Sequence, residues 1–570
     1  MAKHWIVRQV DRDRVDRHCR ELGVSPLLAR LLLLRGLDDG AEARRYLSSS
    51  LRHDLPSPFL MAGMEAAVSR IVRAVEHREP IAIWGDYDVD GTTGAALLVS
   101  FLAEIGAECT FHVPHRIEEG YGLNVEGLAR LRERGVGLVV SVDCGISCSR
   151  EIEAAAAMGL DVVVVDHHEI CGELPPAVAV IDPHRPDCEF PDKGLCAAGL
   201  AFYLAIGLRA RLRDAGRFRD GGDPDLRRYL DIVALGTIAD MVPLRGVNRT
   251  LIRRGLKELG DSARPGIVAL KQVAGIAPGE VRAGQVGYQL GPRINAAGRV
   301  DYGLKVVELL TTDSSEVALR IARELEAHNQ ERRKLESEVL KQALAQADAA
   351  GGAAERFSLV VGGEGWHPGV LGIVASRVVE KYYRPAVVIG FDRGFGKGSA
   401  RSIRGFHMVE GFRACGALLE KFGGHEYAGG LTIREENFAR FAEAFEESAR
   451  QRLSPEDLEP PLEIDAEIDF SLIGGGLARD LESLKPFGIG NPEPLLLTRG
   501  VEVCDRKPFS GGSRFRLRQS GRFVTAVAFG PDGDACPAPG NSMDLVYRLT
   551  ENEWSGTATI ELKIVDARPA

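Results

Sequence analysis

Short apolar runs and segments with helical spacing alternate along the middle of the chain. Ile81–Trp84, Gly137–Val142 and Asp161–Val165 are apolar and of strand length, whereas Thr92–Gly106 and Ser147–Met158 have the spacing of helices. Continuous valine-rich runs of this length are typical of parallel strands buried on both faces. The alternation predicts an α/β fold with an open parallel sheet and helices on both of its sides.

The pattern changes twice after this region. Residues Ser314–Ala350 are charged, alanine-rich and free of glycine and proline, which predicts one long helix, either a connector between two globular halves or a solvated helix within one domain. A second α/β segment follows, with Ser358–Val361 and Ala386–Ile389 as strands. After Pro460, short alternating segments separated by Gly, Pro, Asn and Asp favour a small β-barrel.

A chain of 570 residues is too long for one compact core. The changes of pattern predict five parts. They are an N-terminal segment 1–55, a parallel-sheet domain 56–312, a connecting helix 313–350, a smaller α/β domain 351–455 and a C-terminal barrel 456–570.

Composition narrows the class of protein. Hydrophobic residues make up 45% and charged residues 27%, the chain has no apolar run long enough to span a membrane, and its first twenty residues lack the apolar core of a secretion signal. Ten cysteines occur without a CxxC pair, so we expect reduced thiols in the cytoplasm. The net charge of −10 counts against nucleic-acid binding, although metal-binding carboxylates lower a net charge without excluding a basic groove.

Three aspartates follow the first apolar run directly. Asp86, Asp88 and Asp90 alternate with other residues before Gly91, a spacing shared with calcium loops of the EF-hand type. That loop requires a glutamate where Leu97 stands, and flanking helices instead of a preceding strand, so the EF-hand interpretation fails. A plain surface turn remains the alternative when these residues are taken alone.

Acidic residues also follow the later apolar runs. Asp143 follows the second strand, Asp166-His167-His168 follows the third, and Asp240 follows an apolar run whose pattern is more helical. Because the carboxyl ends of parallel strands line one crevice, we expect at least the first three acidic groups to meet in space.

Carboxylates that lie close together repel one another and require protons or cations to neutralise their charge. Two of them about 4 Å apart repel by about 4 kcal/mol at an effective dielectric of about 20. Carboxylates with one or two imidazoles suit Mg²⁺ and Mn²⁺, and two such ions can bind a phosphodiester and activate water. The sequence therefore predicts two divalent metal ions as cofactors, rather than a pair of structural loop histidines.

These residues resemble the motifs of the DHH phosphoesterase superfamily and, within it, of the RecJ family of exonucleases. The resemblance rests on GDYDVDG, SVDCG, VVDHH and ALGTIAD, then on GPRINAAGR at Gly291–Arg299 and GGHEYAGG at Gly423–Gly430. The motifs span most of residues 80–430 in the order of the family. The resemblance implies a DHH domain joined by the long helix to a DHHA1 domain, with a C-terminal barrel of the OB-fold.

The resemblance also implies roles for the acidic residues. It implies metal ligands at Asp86, Asp88, Asp90, Asp143, His167 and Asp240, with Asp143 bridging the two ions. It implies that His168 faces the scissile phosphate and that Asp166 orients the imidazoles. Many DHH phosphoesterases have a histidine where this chain has Ala82, a departure that leaves open which ion each carboxylate binds.

Further residues are candidates for contacts with the substrate. Arg293, predicted as a catalytic residue, and Asn295 lie in a glycine-rich segment interpreted as a loop, where a structural turn with an Arg–Asp pair is the alternative. Arg116 lies in a predicted loop, and Ser399, Arg401 and Ser402 follow a glycine-rich stretch suited to binding an anion. Gly424 and His425 are added on their position in the family motif.

The C-terminal region interleaves basic and aromatic residues. The pattern suits single-strand binding on a barrel, although solvated arginines on an ordinary strand would look the same. Its residues are Arg514, Phe515, Arg516, Arg518, Arg522 and Phe523.

The resemblance implies a 5′-3′ exonuclease specific for single-stranded DNA, acting in DNA recombination and repair. It further implies single-strand-binding protein and a RecQ-type helicase as partners. Two alternatives compete: a phosphodiesterase for nanoRNA or cyclic dinucleotides, and a non-catalytic scaffold. The long connector and the barrel argue against the first, and the intact acidic motifs argue against the second.

Overall fold

The computed structural model describes residues 3–115, 119–218, 222–297, 303–530, 536–552 and 559–570. The chain divides into two compact units. The first comprises Val7–Glu326 and Ile464–Ala570, and the second comprises Met1–Ile6 and Ala327–Glu463. Within the described ranges, no helix is long and apolar enough to cross a membrane.

The strands of the described residues, in chain order, are β1 (His4–Val7), β2 (Ile81–Gly85), β3 (Cys109–His112), β4 (Leu138–Val142), β5 (Asp161–Val165), β6 (Ala179–Ile181), β7 (Leu359–Glu364), β8 (Ala386–Asp392), β9 (Phe395–Arg401), β10 (Leu419–Gly424), β11 (Ala428–Arg434), β12 (Pro461–Ile464), β13 (Ala466–Glu467), β14 (Leu496–Phe509), β15 (Gly512–Gln519), β16 (Arg522–Phe529), β17 (Ser542–Asn552) and β18 (Thr559–Pro569).

The α-helices are α1 (Arg12–Leu22), α2 (Pro26–Leu33), α3 (Gly40–Ser48), α4 (Met64–Glu76), α5 (Val89–Glu104), α6 (Val125–Glu133), α7 (Ser149–Ala157), α8 (Ala197–Asp214), α9 (Leu230–Ala239), α10 (Gly246–Asp261), α11 (Pro265–Ala274), α12 (Ala283–Gln285), α13 (Gly291–Ala297), α14 (Gly303–Thr311), α15 (Ser315–Ala349), α16 (Gly352–Glu355), α17 (Pro368–Tyr382), α18 (Met408–Ala414), α19 (Phe438–Arg452) and α20 (Gly475–Ser483).

A five-stranded parallel sheet forms the centre of the first unit. Its strand order is β3-β2-β4-β5-β6, and every neighbouring pair is parallel. Residues of α4, α5 and α8 cover one face, and residues of α6 and α7 cover the other. Strands β2 and β4 are consequently buried along their whole length, as their continuous apolar runs predict. The predicted parallel α/β sheet is confirmed.

The carboxyl ends of four of these strands carry aspartates. Asp86 follows β2, Asp143 follows β4, Asp166 follows β5 and Asp182 follows β6. Asp240 arrives from a different kind of element, because it caps the C-terminal end of α9. The helical pattern noted for that run is therefore correct.

A closed β-barrel forms the C-terminal part of the first unit. Strands β14, β15, β16, β18 and β17 pair in this order, and β14 also pairs with β17, which closes the barrel. Apolar residues of α2 and α3 pack into the same core as the barrel strands. The predicted barrel is confirmed, and part of the N-terminal segment contributes to its core. The five domain bounds stay a prediction.

The second unit has a mixed sheet in the order β10-β11-β9-β8-β7. Strands β7 and β8 are parallel, and the other pairs are antiparallel. Residues of α17 and of the C-terminal part of α15 pack on one face, whereas α18 and α19 pack on the other. Both predicted strands of this region are confirmed as β7 and β8, and α15 confirms the long helix.

The predicted glycine-rich loop at Gly291–Arg299 is wrong for residues 291–297, which form α13 after a π-helical turn at Val286–Leu290. Gly291 packs so closely on α9 that an added Cβ would lie 3.3 Å from the Cβ of Ala239. This glycine therefore permits close helix packing rather than a turn.

Candidate active site

The turn from β2 into α5 positions the first two aspartates. Asp88 is the N-cap of α5, and its Oδ1 accepts a hydrogen bond from the Gly91 N–H at 3.0 Å. Asp86 is buried, and its Oδ1 has no hydrogen-bond partner among the described residues. Gly91 is required because a Cβ there would lie 2.6–2.8 Å from backbone atoms of Asp86.

Asp90 lies in the first turn of α5 and is almost completely buried. Its carboxylate accepts hydrogen bonds from the N–H groups of Ala197 at 2.5 Å and Ala198 at 2.8 Å, at the start of α8. A carboxylate is favourable at a helix N-terminus. The same Oδ2 lies 3.6 Å from His167 Nε2, so Asp90 both anchors α8 and faces the acidic cluster.

Asp143 has a left-handed backbone, with φ of 66°, which aspartate tolerates better than most residues. Its Oδ1 lies 3.2 Å from His167 Nε2 and 4.0 Å from His168 Nδ1. That buried oxygen has no hydrogen-bond partner within the described part of the chain. An unsatisfied buried oxygen is costly, which indicates that a cation normally pairs with it.

The three side chains of the DHH triplet make different contacts. Asp166 Oδ1 accepts from His168 Nδ1 at 2.7 Å and from the His167 N–H at 2.8 Å, and Oδ2 accepts from the Ile146 N–H at 3.0 Å. His167 Nε2 instead faces the cluster, 3.7 Å from Asp240 Oδ2. Asp166 thus contacts the imidazole of His168 directly, whereas it contacts His167 only through the backbone N–H, so the predicted orientation of both imidazoles stays a prediction.

The potential ligand atoms fall into three groups, within each of which all atoms lie within 4.8 Å of one another. The groups are Asp86 with Asp88 and Asp143, Asp90 with His167 and Asp240, and Asp143 with His167 and His168. The predicted metal ligands therefore converge, and Asp143 belongs to two groups.

Electrostatics agree with a cation site. Burial, and then the charge of Asp88, raise the pKa of Asp86 and of Asp90 to about 7. Burial, and then Asp90 and Asp88, raise the pKa of Asp240 to about 8, and burial with neighbouring carboxylates raises the pKa of Asp143 well above its usual value. Carboxylates with pKa values raised in this way resist simultaneous ionisation, which fits residues that share divalent cations.

The two histidines differ in their acid–base properties. The hydrogen bond to Asp166 raises the pKa of His168 to about 9. Burial, and then the charge of His168, lower the pKa of His167 to about 4, which keeps its imidazole neutral and able to bind a metal. The arrangement gives one neutral ligand beside one cationic imidazole.

Sequence reasoning missed three residues at this edge. The hydroxyl of the half-exposed Tyr121 donates to the Asp143 carbonyl at 3.0 Å, and its ring lies edge-on to His168 with centroids 6.0 Å apart. Asp182 and His184 follow β6, a three-residue strand too short to stand out in the sequence. A glycine on each side of Tyr121 was the available signal for that loop.

The predicted phosphate-binding arginines have other surroundings. Arg293 is buried, its Nε lies 2.5 Å from Glu326 Oε2, and its Nη1 donates to the Gln289 carbonyl at 2.6 Å. Arg293 is thus in an ion pair, but the predicted alternative, a structural turn with an Arg–Asp pair, differs from it, because the partner is a glutamate and the segment is helical. Asn295 lies half-buried on α13. Arg116 lies outside the described residues.

In the second unit, Ser399 and Arg401 point to the same side of β9. An added Cβ on Gly372 of α17 would lie 3.2 Å from Ser399 Oγ and 3.3 Å from Arg401 Nη2. In the part of the chain that the structure describes, no carboxylate forms an ion pair with Arg401, and burial lowers the pKa of its guanidinium. Ser402 differs, because its hydroxyl donates to the Phe406 carbonyl at 2.6 Å.

The GGH motif forms the hairpin between β10 and β11. The His425 N–H donates to the Ala428 carbonyl at 2.8 Å, and His425 is exposed. Gly424 has φ of 141°, and a Cβ there would lie 2.3 Å from the Ala428 carbonyl oxygen. Gly424 is therefore required by the hairpin itself.

Comparison with known proteins matches three family models in the order found in the chain. The DHH family N-terminal domain matches residues 80–237, the DHHA1 domain matches residues 354–451, and the RecJ OB domain matches residues 464–566.

Relatives match nearly the whole chain. The single-stranded-DNA-specific exonuclease RecJ of Escherichia coli is 35% identical over 96% of this chain and 96% of its own, and that of Bacillus subtilis is 35% identical over 99% of this chain and 70% of its own. The crystal structure of RecJ from Thermus thermophilus in complex with Mn²⁺ has a TM-score of 0.82 and 31% identity, covering 100% of this chain and 80% of that one. With a parallel-sheet DHH core, a DHHA1 domain and a closed OB barrel, this chain belongs to the RecJ family.

Proposed function

We propose that this protein is a metal-dependent exonuclease that degrades single-stranded DNA from its 5′ end. The observation that carries the proposal is the convergence of five aspartates and two histidines, several with buried oxygens that lack a partner among the described residues, at the carboxyl edge of the DHH sheet. The relatives named single-stranded-DNA-specific exonuclease support the substrate, and the Mn²⁺ complex of one of them supports the cofactor.

The residues present fit two divalent ions. Asp86, Asp88 and Asp143 would hold one ion, and Asp90, His167 and Asp240 would hold the other, with Asp143 near enough to serve both. When bound, Mn²⁺ or Mg²⁺ supplies Lewis acidity and an activated water.

His168 is the side chain suited to the scissile phosphate. Its Nδ1 is held by Asp166, and its raised pKa keeps the imidazole cationic at neutral pH. A cationic imidazole beside the reacting phosphate can stabilise the charge that develops during hydrolysis.

Direction requires a group that recognises the chain end. Ser399 and Arg401 present a hydroxyl and a guanidinium without a carboxylate partner among the described residues, beside the first turns of α17. Such a site favours a terminal phosphate, which carries more negative charge than a chain-interior phosphate. The proposal also includes six further substrate-side residues, which are Asn295, Ser402, Gly424, His425, Arg116 and Arg293. Of these, Ser402, Gly424 and Arg293 would act indirectly, by stabilising the local structure in which they lie.

The test compares three strands of the same sequence, namely a 5′-phosphorylated linear oligonucleotide, its 5′-hydroxyl form and a circle, with a dinucleotide. We expect cleavage of the linear strands, preference for the 5′-phosphate, and no cleavage of the circle. Arg401→Ala should raise KM and remove the preference for 5′-phosphate, whereas Arg404→Ala, an exposed arginine three residues on, should keep it. Cutting of circles, or turnover confined to dinucleotides, would contradict the proposal and favour the phosphodiesterase alternative.

We also propose that the protein acts in the cytoplasm, since its ten cysteines are free thiols. Single-strand-binding protein and a RecQ-type helicase are the proposed partners, and both would supply single-stranded DNA. Co-purification of each with the full chain, with and without DNA, tests this part.

A further inference from the structure

The strand beside the DHH triplet ends in a second aspartate–histidine pair. Strands β5 and β6 are parallel, Val165 pairs with Ile181, and the Asp166 N–H donates to the Ile181 carbonyl at 3.0 Å. Asp182 therefore leaves the sheet beside Asp166, at the same edge. Neighbouring strands are about 4.8 Å apart, so the two pairs are separated by one strand spacing.

The two pairs have the same local geometry. Asp166 Oδ1 accepts from the N–H of His168 at 3.3 Å and from its Nδ1 at 2.7 Å. Asp182 Oδ1 accepts from the N–H of His184 at 2.7 Å and from its Nδ1 at 3.2 Å. In both pairs, an aspartate fixes the imidazole two residues later, and the ring edge with Nε2 points away from the carboxylate.

Asp182 is buried more completely than a turn requires. Its exposed fraction is 0%, and its Oδ2 has no hydrogen-bond partner in the described ranges. Burial, with a further contribution from the charge of Asp166, raises its pKa only to about 6, so the carboxylate is charged at neutral pH. A buried, incompletely paired carboxylate is costly, and its main visible effect is to fix the ring of His184.

His184 lies at the edge of the metal site without being one of its ligands. Its side chain is 37% exposed, and its charge contributes, after burial and His168, to the lowered pKa of His167. Within the described residues, its Nε2 has no hydrogen-bond partner, whereas its Nδ1 is occupied by Asp182. Nε2 is therefore the ring nitrogen of this partly exposed side chain that is left for a ligand.

We propose that His184 donates from Nε2 to a non-bridging oxygen of the first backbone phosphate on the 3′ side of the scissile bond, with Asp182 as its positioning residue. The inference rests on the proposed exonuclease function, in which Ser399 and Arg401 bind the 5′ end. Because Asp182 accepts from Nδ1, Nε2 is the ring nitrogen left to bind a phosphate oxygen. The subsite would keep the strand in register for the next cut.

The test is a charge-deletion scan of the substrate. Initial rates of the first cleavage are measured with 5′-phosphorylated oligonucleotides that carry one neutral methylphosphonate at each successive linkage. The enzymes are the wild type, His184→Ala, Asp182→Asn and the control His77→Ala, an exposed histidine at the end of α4, just before β2 begins. Melting temperatures establish that each variant is folded.

For the unmodified strand, His184→Ala should raise KM about tenfold, the scale of one charge-assisted hydrogen bond, with a smaller change in kcat. Asp182→Asn should do the same more weakly, and His77→Ala should do nothing. With the methylphosphonate at the linkage 3′ of the scissile bond, the penalty of His184→Ala should vanish, and at other linkages it should persist. A merely structural role gives the same penalty at every position and would overturn the inference, as would the absence of any penalty. If the wild type failed to cut the unmodified strand, the proposed function would be at fault instead.

Discussion

Asp143 combines a left-handed backbone, near-complete burial and a carboxylate oxygen without a partner among the described residues. Each of these features is costly by itself, and they coincide at a carboxylate shared by two groups of potential metal ligands. We interpret these features as a cost in folding stability that places a charged carboxylate where cations bind. The residue should therefore respond oppositely in assays of stability and of activity.

We predict that Asp143→Asn lowers turnover roughly a hundredfold or more, because a group that organises the transition state is lost. In EDTA its melting temperature should equal or exceed that of the wild type, because one of several repelling carboxylates is gone and asparagine tolerates the backbone. Asp187→Asn, an exposed aspartate paired with Arg185, is the control and should keep full activity. Near-normal turnover of the Asp143 variant would contradict the proposal that two metal ions bind at this cluster.

The sequence predicted that Asp86, Asp143 and Asp166 meet because each of them follows a strand of the parallel sheet, whereas the metals that the cluster binds stay a prediction. It did not predict Tyr121, Asp182 or His184, since a lone tyrosine between glycines and a three-residue strand carry little pattern. Arg293 was misjudged for a different reason. Its partner Glu326 lies 33 positions later in another helix, so only the fold reveals that the arginine is buried in an ion pair.

At the scale of elements, the barrel has an exposed surface of arginines beside a half-exposed phenylalanine, whereas Phe515, part of the predicted basic–aromatic pattern, is buried in the core. On β15, Arg514, Arg516 and Arg518 face outward between the buried Phe515 and Leu517. The Arg516 guanidinium lies 4.5 Å from the ring centre of Phe523, a half-exposed residue of β16. Nucleobases stack on such aromatic rings, and arginines bind the backbone. Alternation on a strand is visible in a sequence, which is why this surface could be predicted.

We predict that Phe523→Ala weakens binding of a long single strand by about 1–3 kcal/mol, the range for loss of one stacking contact, while cleavage of very short strands is unchanged. Fluorescence anisotropy with long and short oligonucleotides measures binding, and initial rates on the same strands measure cleavage. Arg499→Ala is the matched control, because that exposed barrel arginine is already paired with Glu467 and Asp544. Equal losses on long and short strands would argue against a binding role for this surface.

Deleting the barrel would be a poorer test than a surface substitution. Apolar residues of α2 and α3 share the barrel core, and the Leu244 N–H, four residues after Asp240, donates to the Ile489 carbonyl at 2.7 Å. Truncation after Pro460 would therefore expose a core and disturb the segment that follows a candidate metal ligand. The glycine-rich composition of α13 did not predict a helix, because its first glycine allows close packing on α9 and does not form a loop.

At the scale of the first unit, Arg249 joins segments that are far apart in the chain. Its buried guanidinium donates to the carbonyls of Tyr46 at 3.0 Å, Leu484 at 2.8 Å and Ser483 at 2.9 Å, and lies 3.7 Å from the ring centre of Tyr46. Asn491 is also buried here and donates to the Leu484 and Pro486 carbonyls. These bonds connect α10 to α3 and to the segment that precedes the barrel strands.

We predict that Arg249→Met lowers the free energy of unfolding by about 3 kcal/mol or more, because three backbone carbonyls each lose a hydrogen bond from the guanidinium. Urea denaturation of the full chain measures the change. Arg253→Ala, one turn further along α10 and exposed, is the control and should cost much less. If both variants had the same midpoint as the wild type, Arg249 would not be the connection between these segments.

The acidic cluster also makes the stability of the metal-free protein depend on pH. Carboxylates whose pKa is raised by folding stabilise the folded state while they are protonated, and this stability is lost as the pH rises through their folded pKa. For Asp86, Asp90 and Asp240 the window lies between about 4 and about 8. His168, with its pKa raised to about 9, acts in the same direction above pH 6.5, whereas His167 acts in the opposite direction only below that pH.

We therefore predict that in EDTA the melting temperature falls from pH 6 to pH 8, and that Mg²⁺ raises it more at pH 8 than at pH 6. The cation binds the deprotonated carboxylates, so at pH 8 it relieves repulsion that protons relieve at pH 6. Thermal unfolding at both pH values, with Mg²⁺ or EDTA at constant ionic strength, measures the difference. Asp240→Asn, which removes a carboxyl whose pKa is raised to about 8, should flatten the decline in EDTA and reduce the gain from Mg²⁺. A gain from Mg²⁺ that is equal at both pH values, or larger at pH 6, would mean that the cluster is not what binds the metal.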